Sequence, residues 1–203
     1  MRTLIENLPI GAVVALSLGS SAALAQPPVP DKLQVPPGNI LYLTGHARGT
    51  QNYICMPSGG GYAWTFLSPT ATLFITFKLF GNDVDQQITT HFLSPNPEEG
   101  GRPRPTWQSS LDTSSVWAQA IASTTDPAYV ADSAIPWLLL QQVGQRPGPT
   151  GGTILSNTTY IQRLNTEGGL APATGCSQPE NVGVTALVPY KTDYFFHKAI
   201  RTR

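Results

Sequence analysis

Turn-forming residues set the rhythm of this chain. Its 203 residues include 19 glycines and 19 prolines, spread between short β-branched and aromatic runs. Punctuation at this spacing caps the length of any regular element and suits many short antiparallel strands. The clearest run is 62–67, where Tyr62, Trp64 and Phe66 alternate with Ala63, Thr65 and Leu67 in the two-residue period of a strand. The glycine-rich turn at 57–61 joins it to a strand at 51–55 as a hairpin.

The same reading places further strands at 40–47, 72–80, 84–93, 107–110, 114–122, 135–143, 153–166 and 185–199. The apolar block at 135–143 fits a buried strand, although Pro136 also suits the first turn of a helix. Residues 94–105 carry four prolines, two glycines and four charges, so that stretch is expected to be a loop, a lid or a partner-facing segment. Nine or ten short strands with little helix predict an all-β fold, an antiparallel β-sandwich or a partly closed barrel. The expected organisation is a signal peptide at 1–25, a proline-rich lead-in at 26–38 and one all-β domain at 39–203.

The first of those segments carries Arg2, an apolar run from Ile10 to Ala25, and the small-x-small end Ala23-Leu24-Ala25. It is short and rich in small residues, which fits cleavage before Gln26 better than a retained anchor. Secretion or transfer to a periplasm follows, with no membrane span left after cleavage. In an oxidising compartment the only two cysteines, Cys55 and Cys176, are expected to form a disulfide. Acids and bases balance at twelve each, so the chain lacks the basic surface that nucleic acid requires.

Several ordered blocks resemble a known family. They are Gln51-x-Tyr53-x-Cys55, Tyr62-x-Trp64-x-Phe66-x-x-Pro69 and Ile135-Pro136-Trp137-Leu138-Leu139. With them stand Ile161-Gln162-Arg163-x-Asn165-Thr166-x-Gly168-Gly169-x-Ala171-Pro172-x-x-x-Cys176 and Val188-Pro189-Tyr190-x-x-Asp193-Tyr194. Together they resemble the domain of unknown function 3455 family of secreted bacterial and fungal proteins. The resemblance implies an exported single-domain protein and carries no established activity. The stretch 94–105 departs from it, because the family has a short glycine-proline connection there.

Candidate chemistry is sparse. No two of His46, His91 and His197 sit at i,i+2 or i,i+4, so no metal site is expected. No strand–GxGxxG–helix unit offers a dinucleotide cradle, and no cofactor is expected. The catalytic candidates are His91, which precedes the proline-rich stretch, and Asp112 as its orienting group. Asp112 is also suited to capping a hairpin turn. Trp64, Trp107 and Trp137 could wall a pocket for an apolar or sugar-like molecule, and Arg163 could grip a ligand carboxylate. Each has an ordinary alternative, as core filling for the indoles and as a surface pair for the arginine.

The leading expectation is therefore a secreted or periplasmic, non-catalytic module that binds a small ligand in an aromatic-lined cavity. A hydrolase or isomerase using His91 with Asp112, and an envelope or matrix structural protein, stand as alternatives. Oligomeric state is left open.

Overall fold

A computed structural model describes residues 26–200, so the signal-peptide reading of 1–25 lies outside the described residues. Eight antiparallel strands run in chain order: β1 (Asn39–Ser58), β2 (Gly61–Leu79), β3 (Asn82–Asn96), β4 (Arg102–Ser109), β5 (Ser115–Thr124), β6 (Trp137–Arg146), β7 (Thr158–Gly168) and β8 (Thr185–Ala199). Each pairs with its sequence neighbour, and β8 pairs with β1 to close a barrel. Closure removes the unpaired edges that an open sheet would present. No helix among the described residues is long and apolar enough to cross a membrane.

The expected nine or ten strands become eight because two apparent breaks lie inside continuous strands. Gly49 interrupts the pattern of β1, yet it is there for closeness: a Cβ on it would stand 2.1 Å from the Thr70 carbonyl oxygen of β2. Pro69 interrupts β2, but the β2–β3 ladder begins only at Ala71, so Pro69 lies beyond it. The β1–β2 hairpin turns through Gly59 and Gly60, both at positive φ (58° and 82°). That is the two-residue turn whose twist matches the flanking strands.

Two other expectations are corrected. Residues 94–105 are not a loop or a lid: β3 and β4 continue through them, pairing Ser94 with Arg104, Pro95 with Pro103 and Asn96 with Arg102. Pro95 and Pro103 share one rung, so their missing donors fall at a single position of the ladder. The turn beyond is fastened by Asn96, which is fully buried. Its Nδ2 donates to Glu99 Oε2 (2.7 Å) and to the Val143 carbonyl (3.0 Å), and its Oδ1 accepts from the Glu98 amide (3.1 Å). The strand expected at 153–166 begins instead at Thr158. Ahead of it the chain turns, and the Thr158 amide donates to the Leu155 carbonyl (3.1 Å).

The apolar block at the start of β6 explains how the barrel is covered. Leu138 and Leu140 point inward. Trp137 and Leu139 point outward into a second cluster with Leu33, Val130, Leu164 and Phe195. The lead-in supplies part of that cover: Leu33 is fully buried, and its carbonyl accepts from Gln162 Nε2 (2.7 Å). With both faces covered, this strand is apolar at consecutive positions rather than alternate ones. The barrel interior holds the main cluster, with Leu73, Val116, Leu155, Ile161 and Phe196 at or near zero exposure.

The connections divide between two ends of the barrel. The turns at 59–60 and 97–101 and the longer connections at 125–136 and 169–184 lie at one end. The turns at 80–81 and 110–114, the 147–157 connection and the start of β1 lie at the other. At the first end the β1–β2 hairpin rises beyond β3 and is tied down. Cys55 and Cys176 form a disulfide, and Trp64 Nε1 donates to the Thr174 carbonyl (2.9 Å).

Candidate functional site

The barrel opens at the hairpin end into a cavity of about 300 Å³. Every strand sends at least one side chain to its wall, including Tyr53, Phe66, His91, Trp107, Ala120 and Leu138 on the first six. Arg163 of β7 and Tyr194 of β8 complete the ring. The ladder sets their order: Arg163 stands opposite Leu138 on one side and opposite Tyr194 on the other. His91 pairs with Trp107 in the same way, and their rings stack at 4.2 Å with 11° between planes. Tyr194 meets both rings edge-on, at 5.2 and 5.3 Å. Edge-to-face and stacked contacts of this kind are the arrangements that aromatic rings prefer.

The polar groups on that wall are few and specific. Arg163 is held flat by the Pro136 carbonyl, which accepts from Nε (3.2 Å) and Nη2 (2.8 Å). Among the described residues no carboxylate pairs with it. His91 Nδ1 lies 2.9 Å from the Thr106 carbonyl. A carbonyl only accepts, so Nδ1 carries the proton and Nε2 the lone pair. Burial drives the His91 pKa down to about 3, and the positive charge of Arg163 pushes the same way. The ring is neutral at any physiological pH. Burial raises the pKa of Tyr194 and of Tyr53, whose hydroxyl donates to the Gly169 carbonyl at the rim (2.7 Å).

The candidate residues separate into those at the cavity and those elsewhere. His91, Trp107 and Arg163 stand on the cavity wall. Trp64 does not: it lines a separate pocket, also of about 300 Å³, with Ala171 to Thr174, beside the disulfide. Trp137 does not either, because the parity of β6 turns it outward under the lead-in. Asp112 lies in the β4–β5 turn at the opposite end of the barrel. Its carboxylate accepts from the Ser114 amide (3.1 Å), the Ser114 hydroxyl (2.6 Å) and the Ile154 amide (2.9 Å). Burial alone would raise the Asp112 pKa, but these hydrogen bonds outweigh it and the net direction is down. It fastens two connections together and does not orient His91. His91 and Asp112 are therefore not hydrogen-bonded to each other, and the burial that lowers the His91 pKa matches its ring poorly to proton transfer near neutrality.

Gln51, Tyr53, Tyr194 and Leu138 line the cavity; they stand in the family-like sequence blocks but were not among the ligand-binding candidates. The signal was there in part: Gln51 and Tyr53 share the parity of Cys55, and Tyr194 shares that of Phe196. What the sequence lacks is the closure of β8 on β1, which brings those positions to one wall. Among the described residues no group of three or more His, Cys, Asp or Glu side chains could hold a metal ion.

Neither a curated protein nor a solved structure matches the chain. A family model described as protein of unknown function (DUF3455) matches residues 36–198, which takes in β1 to β7, all but the last residue of β8, and every residue that lines the cavity. The chain belongs to that family.

Proposed function

We propose that the protein is an exported, non-catalytic binding module that holds a small, largely apolar molecule in the mouth of its barrel. The observation that carries this reading is the cavity itself: about 300 Å³, walled by all eight strands, mostly apolar, with a few fixed polar groups. Concave sites of that make-up are where small molecules bind, and this volume is at the lower end of the usual range of about 300–1,000 Å³. Export is supported by the bridged cysteine pair, a feature of oxidising compartments, and by the apolar, small-residue character of 1–25.

The test is titration with octan-1-ol, followed by intrinsic fluorescence of Trp107 and by thermal unfolding. Saturable quenching with a rise in Tm supports the proposal, because a ligand at a hundred times its Kd stabilises by about 2.7 kcal/mol. Ala120→Phe, which places a ring at the mouth, is expected to abolish the response. A linear, non-saturating signal unaffected by Ala120→Phe would refute cavity binding.

A further inference from the structure

We infer that the molecule bound in the cavity is a monocarboxylic acid with an apolar body, its carboxylate meeting Arg163 and its hydrocarbon part lying against Trp107, Leu138 and Leu140. The inference rests on the binding reading above and specifies the ligand's chemistry.

It starts from an inventory of what the cavity offers. Arg163 is a permanent cation on an otherwise apolar wall, and no aspartate or glutamate lines that wall. Its hydrogen bonds of normal geometry go to one backbone carbonyl, and the guanidinium also lies close enough to the Tyr194 hydroxyl to draw on it. On the same wall, Gln51 Nε2, Trp107 Nε1 and the Tyr194 hydroxyl are buried without a hydrogen bond of normal geometry. All three belong to residues of the cavity wall with 3% exposure or less. The Tyr190 hydroxyl likewise has no hydrogen bond of normal geometry, although it lies within polar reach of Tyr194 and Gln51.

Buried polar groups are almost always paired, so a cluster of orphans in one place calls for an explanation. Here the orphans share one character. The indole N–H and the amide NH₂ donate, as does the neighbouring guanidinium, and the phenol O–H can donate as well as accept. A set of donors around an uncompensated cation is complementary to an acceptor bearing negative charge. A planar carboxylate matches the fork of a guanidinium and takes further donors on its remaining lone pairs. The neutral His91 adds no second positive charge, so one cation faces one anion. A doubly charged phosphate would be left half-compensated in an apolar site. The rest of the wall is hydrocarbon and aromatic, which selects an apolar body behind the acid.

Three eight-carbon probes differing only in the head group test this: octanoate, octan-1-ol and octylamine. Each is titrated by calorimetry at pH 7.5 and low salt into wild type, Arg163→Met and Tyr194→Phe. Charge-assisted hydrogen bonds are the strong ones, so octanoate is expected to bind wild type about 10- to 100-fold tighter than octanol. Octylammonium, repelled by Arg163, is expected not to bind. Arg163→Met should erase the preference for octanoate while keeping octanol binding. Tyr194→Phe, which deletes an orphaned hydroxyl, should weaken octanoate and leave octanol unchanged. If octanol binds wild type as tightly as octanoate, the cavity reading stands and the carboxylate inference falls. If none of the three binds, the cavity reading falls and takes the inference with it.

Discussion

Removing the Cys55–Cys176 bridge gives the sharpest stability prediction. The two cysteines are 121 residues apart in sequence and tie β1 to the 169–184 connection. In the chain-entropy model a loop of that length restricts the unfolded state by about 5 kcal/mol at 25 °C. Typical domains are stable by only about 5–15 kcal/mol, so the bridge carries a large share. The folded state does not depend on it for shape, because β1 keeps its ladders to β2 and β8. Nearby, the Cys55 amide donates to the Val184 carbonyl (2.9 Å) and the Gly183 amide to the Cys55 carbonyl (3.0 Å). Those bonds hold the connection locally, and some residual order in the unfolded chain lowers the measured effect. The double variant Cys55→Ala/Cys176→Ala is therefore expected to keep a β-sheet spectrum and lose roughly 3–5 kcal/mol. In urea, with m of about 2 kcal/mol/M, the midpoint should fall by about 1.5–2.5 M. A folded variant whose midpoint moves by less than about 0.5 M would show that constraint of the unfolded chain is not what the bridge contributes.

Three further predictions test other parts of the account. Gly144→Ala places a Cβ 2.3 Å from Asn96 Oδ1; the displaced, buried Asn96 should cost about 1–3 kcal/mol in thermal unfolding, and an unchanged Tm would contradict its role as a fastener. Tyr194→Phe removes a buried hydroxyl that has no hydrogen bond of normal geometry, so stability should hold or rise slightly, and a loss above about 1 kcal/mol would mean that its approach to Arg163 or Tyr190 is a bond. The third concerns acid. Arg104, then Asn96, hold Glu99 down to a pKa of about 2 from its ordinary 4.5. A depressed carboxylate stabilises the fold above its unfolded pKa, and that contribution is lost as pH falls through the folded value. Wild type should therefore lose stability between about pH 4.5 and 2, and Glu99→Gln should flatten part of that slope. Superimposable pH–stability curves would overturn the assignment.

What the sequence made legible was local. The alternation in Tyr62, Trp64 and Phe66 and the paired glycines at 59 and 60 were enough to read a hairpin, and runs of this kind gave an all-β chain. Long-range facts were not legible. Whether the sheet closes depends on β8 meeting β1 across more than a hundred residues, and no local pattern carries that. Gly49 looks like a break by composition, yet its function is close approach to β2, visible only once β2 is beside it. Pro95 and Pro103 looked disruptive when counted one by one. Placed opposite each other on one rung, they leave the ladder intact. Trp137 was indistinguishable from an inward residue because both faces of β6 are buried, the outer one by a lead-in that itself reads as unstructured. Arg163 could be singled out as a lone cation on a strand, but not as a cation among orphaned donors. That grouping draws on β1, β4, β7 and β8 at once.

Native mass spectrometry on protein purified from its own host, with a parallel sample incubated with octanoate, tests the central claim most directly. The account predicts a small molecule retained by the folded chain and released on denaturation. That molecule should be detected as an anion, be small enough for a cavity of about 300 Å³, and be displaced by octanoate. A native mass equal to the bare chain in both samples would contradict it.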